Sequence, residues 1–92
     1  MNNFSNHSRQ LEDIDDMITT LNRLLTLHGQ DVWNYALFLT KNKELADDIS
    51  QKVFIKIFPK YRNLPAQSSE KIWLLRITRN MILKHLKAAF FL

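Results

Sequence analysis

The sequence predicts an all-α fold, a small bundle of about three to four helices, and three observations carry that prediction. Its 92 residues include one Gly and two Pro, too few turn-formers for a sheet system. Three stretches place apolar residues at helical spacing. A chain of this length buries one modest core, so a single domain of a few long elements suits it.

The elements follow in chain order. Residues 1–11 are rich in Asn and Ser and are expected as a disordered tail, with the folded domain over 12–92. "LEDIDDM" sets four acids before an apolar run, where a helix N-terminus favours negative charge. Leu21, Leu24, Leu25, Val32, Tyr35, Ala36 and Leu39 then keep the period of a first helix. Gly29 inside this run is a point where the helix bends or splits. The helix should stop near "TKNK", leaving Asn42 to cap the next. A second helix spans about 43–58, with Leu45, Ala46, Ile49, Val53, Phe54 and Ile57 on one face and Pro59 at its end. "KYRNLPAQSS" reads as a loop. Ser68 or Ser69 is placed to cap a third helix reaching about Ala88, and the "AAFFL" that follows has no evident place to dock.

Charge divides the chain. Residues 1–51 hold four Lys or Arg against eight Asp or Glu, whereas residues 52–92 hold nine against Glu70 alone. The basic half points to a polyanion, and the acidic half calls for a different partner. On a helical wheel Arg76, Arg79, Asn80, Leu83, Lys84 and Lys87 share one side of the third helix. Leu74, Ile77, Met81, Ile82 and Leu86 fall on the other. Trp73 sits at the edge of the cationic side. Cations for phosphates with a flat ring beside them suit nucleic acid. A plain solvated face with Trp73 in the core explains the same composition. On the second helix Asp48, Gln51, Lys52 and Ile55 fall opposite the apolar stripe. An outward Ile there suits a protein contact.

Several classes are disfavoured. There is no Cys, hence no disulfide and no thiolate metal site, which suits a reducing cytoplasm. His7, His28 and His85 have no paired ligand spacing, and His28 and His85 fit a helix surface or core edge. Asp47 and Asp48 are helix neighbours that point ~100° apart and share no site. One Gly allows no phosphate-binding loop. No catalytic residue, metal, cofactor or small-molecule substrate is expected. The N-terminus lacks the apolar segment of a signal peptide, and no run approaches a membrane span.

Two motifs then stand in order. A-x-D-x-x-Q-x-V-F is Ala46, Asp48, Gln51, Val53 and Phe54. W-L-x-x-I-x-x-N is Trp73, Leu74, Ile77 and Asn80. With the loop between them, and "LLTLHGQDVWNYALFLTKN" before, they resemble region 2 of the extracytoplasmic-function sigma factors, over about 24–87. The resemblance implies a transcription-initiation domain of sigma region 2 type. Such a domain binds the β′ clamp helices of core RNA polymerase, then recognises and melts the minus-ten promoter element. The matching polymerase-binding positions are Asp48, Gln51, Lys52 and Ile55. A non-template base would be captured by the loop 62–69, with Arg62, Asn63, Gln67, Ser68 and Ser69. Trp73, Arg76, Arg79, Asn80, Lys84 and Lys87 would face DNA. An anti-sigma factor is a further implied partner.

This chain departs from the pattern at Lys52, where many members carry Glu, and at Lys84, where many carry Asp. The C-terminal region 4 of complete members has no counterpart here, which is expected of a fragment or of a stand-alone domain. Two other readings stay open: a regulatory module that binds an anti-sigma factor or polymerase without opening DNA, and a basic bundle acting at membranes through "KAAFFL".

Overall fold

A computed structural model describes residues 3–91. Helix α1 spans Asn3–Thr40, α2 spans Lys43–Ile57 and α3 spans Glu70–Phe91. Single 3₁₀ turns at Phe58–Lys60 and Gln67–Ser69 frame the loop between α2 and α3. No strand occurs among the described residues.

α1 is longer than the sequence predicts. It begins at Asn3, so residues 3–11 are helical where composition suggested a tail, and residues 1 and 2 lie outside the described range. The acids of "LEDIDDM" therefore sit inside a helix rather than at its first turn. Local sequence permits this, because no Pro interrupts residues 3–40. The helix also runs unbroken through Gly29, against the expected bend. A single Gly costs only about 1 kcal/mol, which the surrounding packing offsets.

The α1–α2 corner matches the expectation at Asn42. Its Oδ1 accepts the Leu45 N–H at 3.0 Å. Before it, Lys41 ends α1 in the left-handed region at φ 57° and donates its N–H to the Leu37 carbonyl at 2.8 Å. α2 returns antiparallel to α1, since Trp33 meets Asp47 near the corner and Leu25 lies beside Phe54 and Ile55 further along. At the start of α3 the expected serine side-chain cap is replaced by backbone bonds. Ser69 N–H donates to the Ala66 carbonyl and Glu70 N–H to that of Gln67.

The core joins all three helices. Leu24, Val32 and Ala36 of α1 pack with Ala46, Ile49, Val53, Phe54 and Ile57 of α2 and with Leu74 and Ile82 of α3. Burying such a side chain contributes roughly 1.5–3 kcal/mol. Leu86, expected on the core side of α3, is instead 40% exposed, because the core ends near Ile82. The molecule measures 56 × 32 × 21 Å. Its long axis equals the ~57 Å of a 38-residue helix, so α1 sets that dimension. α2 ends at Ile57, and the N-terminal half of α1 runs on past it with Leu11, Ile14 and Ile18 about half exposed.

One polar cluster lies within this packing. Glu70 is 1% exposed, and Arg23 grips its carboxylate with both terminal guanidinium nitrogens at 2.8 and 2.7 Å. His28 Nε2 lies 3.3 Å from the same carboxylate. The Arg23 hydrogen bonds hold Glu70 below the ordinary carboxylate range, against a burial effect that acts to raise it. The cluster ties the start of α3 to the middle of α1. It thereby fixes where the loop and the basic face stand.

Candidate nucleic-acid interface and docking face

The basic face is built by helical periodicity and left open by the packing. Arg76, Arg79, Asn80, Lys84 and Lys87 are all exposed along α3. None of these four cations meets a carboxylate among the described residues. Trp73 is half-buried and packs on the core cluster, so one ring serves the core while part of it stays open. That division answers the choice between core and surface with some of each. Lys71, at the start of the helix, is differently placed and lies 3.7 Å from Asp31.

Sequence reasoning missed Lys56. It reaches from α2 to join Asn80, Lys84 and Lys87 around a groove of roughly 770 Å³, with Leu83, Leu86 and Phe90 as its apolar part. Its position immediately before the core Ile57 held the only signal. Phe90, in the apolar tail, is 84% exposed at the groove's end.

The loop residues Asn63, Gln67, Ser68 and Ser69 are exposed beside the start of α3. Arg62 is not a free cation. Asp13 of α1 pairs with its guanidinium, and its Nε donates to the Tyr61 hydroxyl at 2.8 Å. The acidic half of the chain thus spends part of its charge internally. Asp13 meets Arg62, Asp31 approaches Lys71, and Asp47 accepts the Trp33 indole N–H at 2.6 Å. The prediction that acidity as a whole faces a partner is too broad for these three.

The positions expected to dock lie together on α2. Asp48, Gln51, Lys52 and Ile55 are exposed together, and Ile55 reaches 69%. Lys52 Nζ sits 2.8 Å from Asp48 Oδ2, an i,i+4 pair in the favourable order. Beside Ile55 a second groove of roughly 590 Å³ runs between α1 and α2, lined by Leu25, Gly29, Trp33, Gln51 and Phe54. The absence of a side chain at Gly29 deepens it, since a Cβ there would meet nothing within 4 Å. No group of three or more His, Asp or Glu among the described residues is arranged to hold a metal ion. No described helix is long and apolar enough to cross a membrane.

These features define a class: a three-helix domain with one cationic face unpaired among the described residues and one face that sets exposed Ile55 beside Gln51 and the Asp48–Lys52 pair. The family model for sigma-70 region 2 matches residues 24–89, and the chain belongs to that family. It is 32% identical to the ECF RNA polymerase sigma factor SigX of Bacillus subtilis over 65 residues, 71% of this chain and 34% of that protein. It is 33% identical to the ECF RNA polymerase sigma factor SigC of Mycobacterium tuberculosis over 58 residues, 63% of this chain and 31% of that protein. A match to the ECF RNA polymerase sigma factor SigM of Bacillus subtilis is 26% identical over 68 residues, 74% of this chain and 41% of that protein. The matched region thus spans 31–41% of each relative's length. No solved structure matches the chain.

Proposed function

We propose that this chain is a transcription-initiation domain. It docks on the β′ clamp helices of core RNA polymerase through α2, and it holds the non-template strand of an opening minus-ten element on α3. The observation that carries the reading is the set of unpaired cations along α3, with Asn80 among them and Trp73 at their edge. Phosphates satisfy the cations, and unstacked bases offer rings and edges to Trp73, Asn80 and the loop. Closed duplex hides those bases, so the face suits DNA as it parts. Asn63, Gln67, Ser68 and Ser69 supply polar groups for an extruded base edge.

Exposed Ile55 with Gln51 and Asp48 supports the docking role. Lys52 is compatible with it, because its charge is met by Asp48. An anti-sigma factor would compete for the same surface. The test is pull-down of core polymerase by the wild-type chain and by Ile55→Arg. Ile55 supports little of the fold, so circular dichroism should match. Recovery should fall at least tenfold, because an anchor at the centre of a contact is worth on the order of 2 kcal/mol. Equal recovery would remove α2 as the docking element.

A further inference from the structure

Two uncovered apolar stripes of this chain share a spacing and carry opposite charge. On α1, Leu11, Ile14 and Ile18 stand at intervals of three and four, each about half exposed. Glu12, Asp13, Asp15 and Asp16 lie among them, and no Lys or Arg falls between Arg9 and Arg23. On α3, Leu83, Leu86 and Phe90 stand at the same intervals and are exposed. Lys84, Lys87 and Lys56 surround them, and no carboxylate among the described residues lines that groove.

Intervals of three and four make the seam of a coiled coil. Each stripe is one heptad long, about 10 Å of helix. Charge is left over on both. Of the four acids only Asp13 is paired among the described residues, and none of the three lysines is.

We propose that the chain forms a two-fold dimer, in which the N-terminal half of α1 of each copy lies antiparallel in the α3 groove of the other. Antiparallel seams set equivalent flanking positions against each other. Asp15, four residues after Leu11, then meets Lys87, four residues after Leu83. Pairing α1 with α1 would oppose acids, and pairing α3 with α3 would oppose lysines. The reciprocal arrangement uses both stripes and leaves none open, so it closes as a dimer. Two contacts of one heptad each make a small interface, so the dimer is weak and salt-sensitive. It also covers Lys84, Lys87 and Asn80. On the function proposed above, self-association and DNA therefore exclude each other.

Sedimentation velocity of the full chain at low salt, over a concentration series, tests this. The average mass should rise toward twice that of one chain and fall back in high salt. Two variants on exposed positions, Asp15→Lys with Asp16→Lys and Lys84→Glu with Lys87→Glu, should each stay monomeric. Their equimolar mixture should dimerise, because both contacts regain opposite charges. Ile14→Ser, which leaves the charges alone, should also weaken the dimer. A monomeric wild type at every concentration would overturn the proposal, as would a mixture that stays monomeric or an assembly that grows past two copies. Adding oligothymidine should dissociate the dimer. A dimer that forms with the rescue pattern yet ignores oligothymidine upholds the pairing and counts against the DNA face alone.

Discussion

The Glu70 carboxylate sits almost wholly out of water between Arg23 and His28. Its two partners are not equivalent. Arg23 makes both strong bonds and keeps a third of its side chain exposed, so it can rehydrate when Glu70 is removed. Glu70 cannot. Arg23→Met should therefore cost about 3 kcal/mol by leaving a buried charge poorly matched. Glu70→Gln should cost less, about 1–2 kcal/mol. Urea denaturation at neutral pH checks the order, and equal losses would contradict it. The pH dependence has a definite sign. Glu70 is held below its ordinary range, so its contribution is complete above the unfolded carboxylate pKa of about 4.3. It is lost as pH falls through the lower, folded value. Glu70→Gln should lose stability less steeply in acid than the wild type does. Parallel curves would show that the cluster does not govern acid unfolding.

Among the elements, α1 has its glycine in an unfavourable place, and Lys41, the residue that follows the helix, holds an unfavourable conformation. Gly29 is mid-helix, where Ala is better by roughly 0.5–1 kcal/mol, and there is room for the added methyl. Lys41 holds a left-handed conformation at the helix end, where Gly avoids a cost of about 1 kcal/mol. Lys41 also stacks over the Phe38 ring at 4.6 Å, which offsets part of that gain. Gly29→Ala and Lys41→Gly should each raise the thermal midpoint by a few degrees. If Gly29 is glycine for the groove beside Ile55, the Ala variant should be more stable yet recover less polymerase. Recovery unchanged would leave Gly29 without a docking role.

The helix corner, the apolar stripes and the outward Ile55 were legible because short-range spacing alone decides them. The full reach of α1 was not, since Asn and Ser mark tails by average behaviour and here continue a helix. The Glu70 cluster was invisible for a different reason. Arg23 and Glu70 are 47 residues apart, and only the fold brings them together. Arg62 taught the same lesson, for Asp13 is distant in the chain and only the fold brings the two together. Lys56 was hidden because it belongs to α2 while its groove belongs mostly to α3. Local patterns predicted faces, and long-range pairing decided which charges on them stay free.

At the scale of the whole molecule the charge division acquires a use. The acidic half neutralises Arg62 and approaches Lys71, while the cations from Arg76 to Lys87 stay open. The loop before α3 is the part whose role differs most between opening DNA and merely binding a protein. Replacing residues 63–69 by a glycine-serine segment of equal length should leave polymerase recovery intact. It should abolish preference among single-stranded minus-ten sequences. A preference that survives would make the loop a connector only.

Fluorescence anisotropy of the chain with labelled single strands and duplexes, across a salt series, decides whether α3 holds parted DNA. If about four cations of α3 meet phosphates, the log–log salt slope for single strands should be near −3. Dissociation constants should lie on the order of 10⁻⁴–10⁻⁶ M at physiological salt. Arg76→Ala and Lys87→Ala should weaken all sequences alike and flatten the slope by under about one unit, the share of a single phosphate contact. Asn80→Ala should blunt sequence preference with little change in slope. Tight, salt-insensitive and sequence-specific binding to closed duplex would contradict the account, because a face that waits for parted strands has no means of reading bases inside a helix.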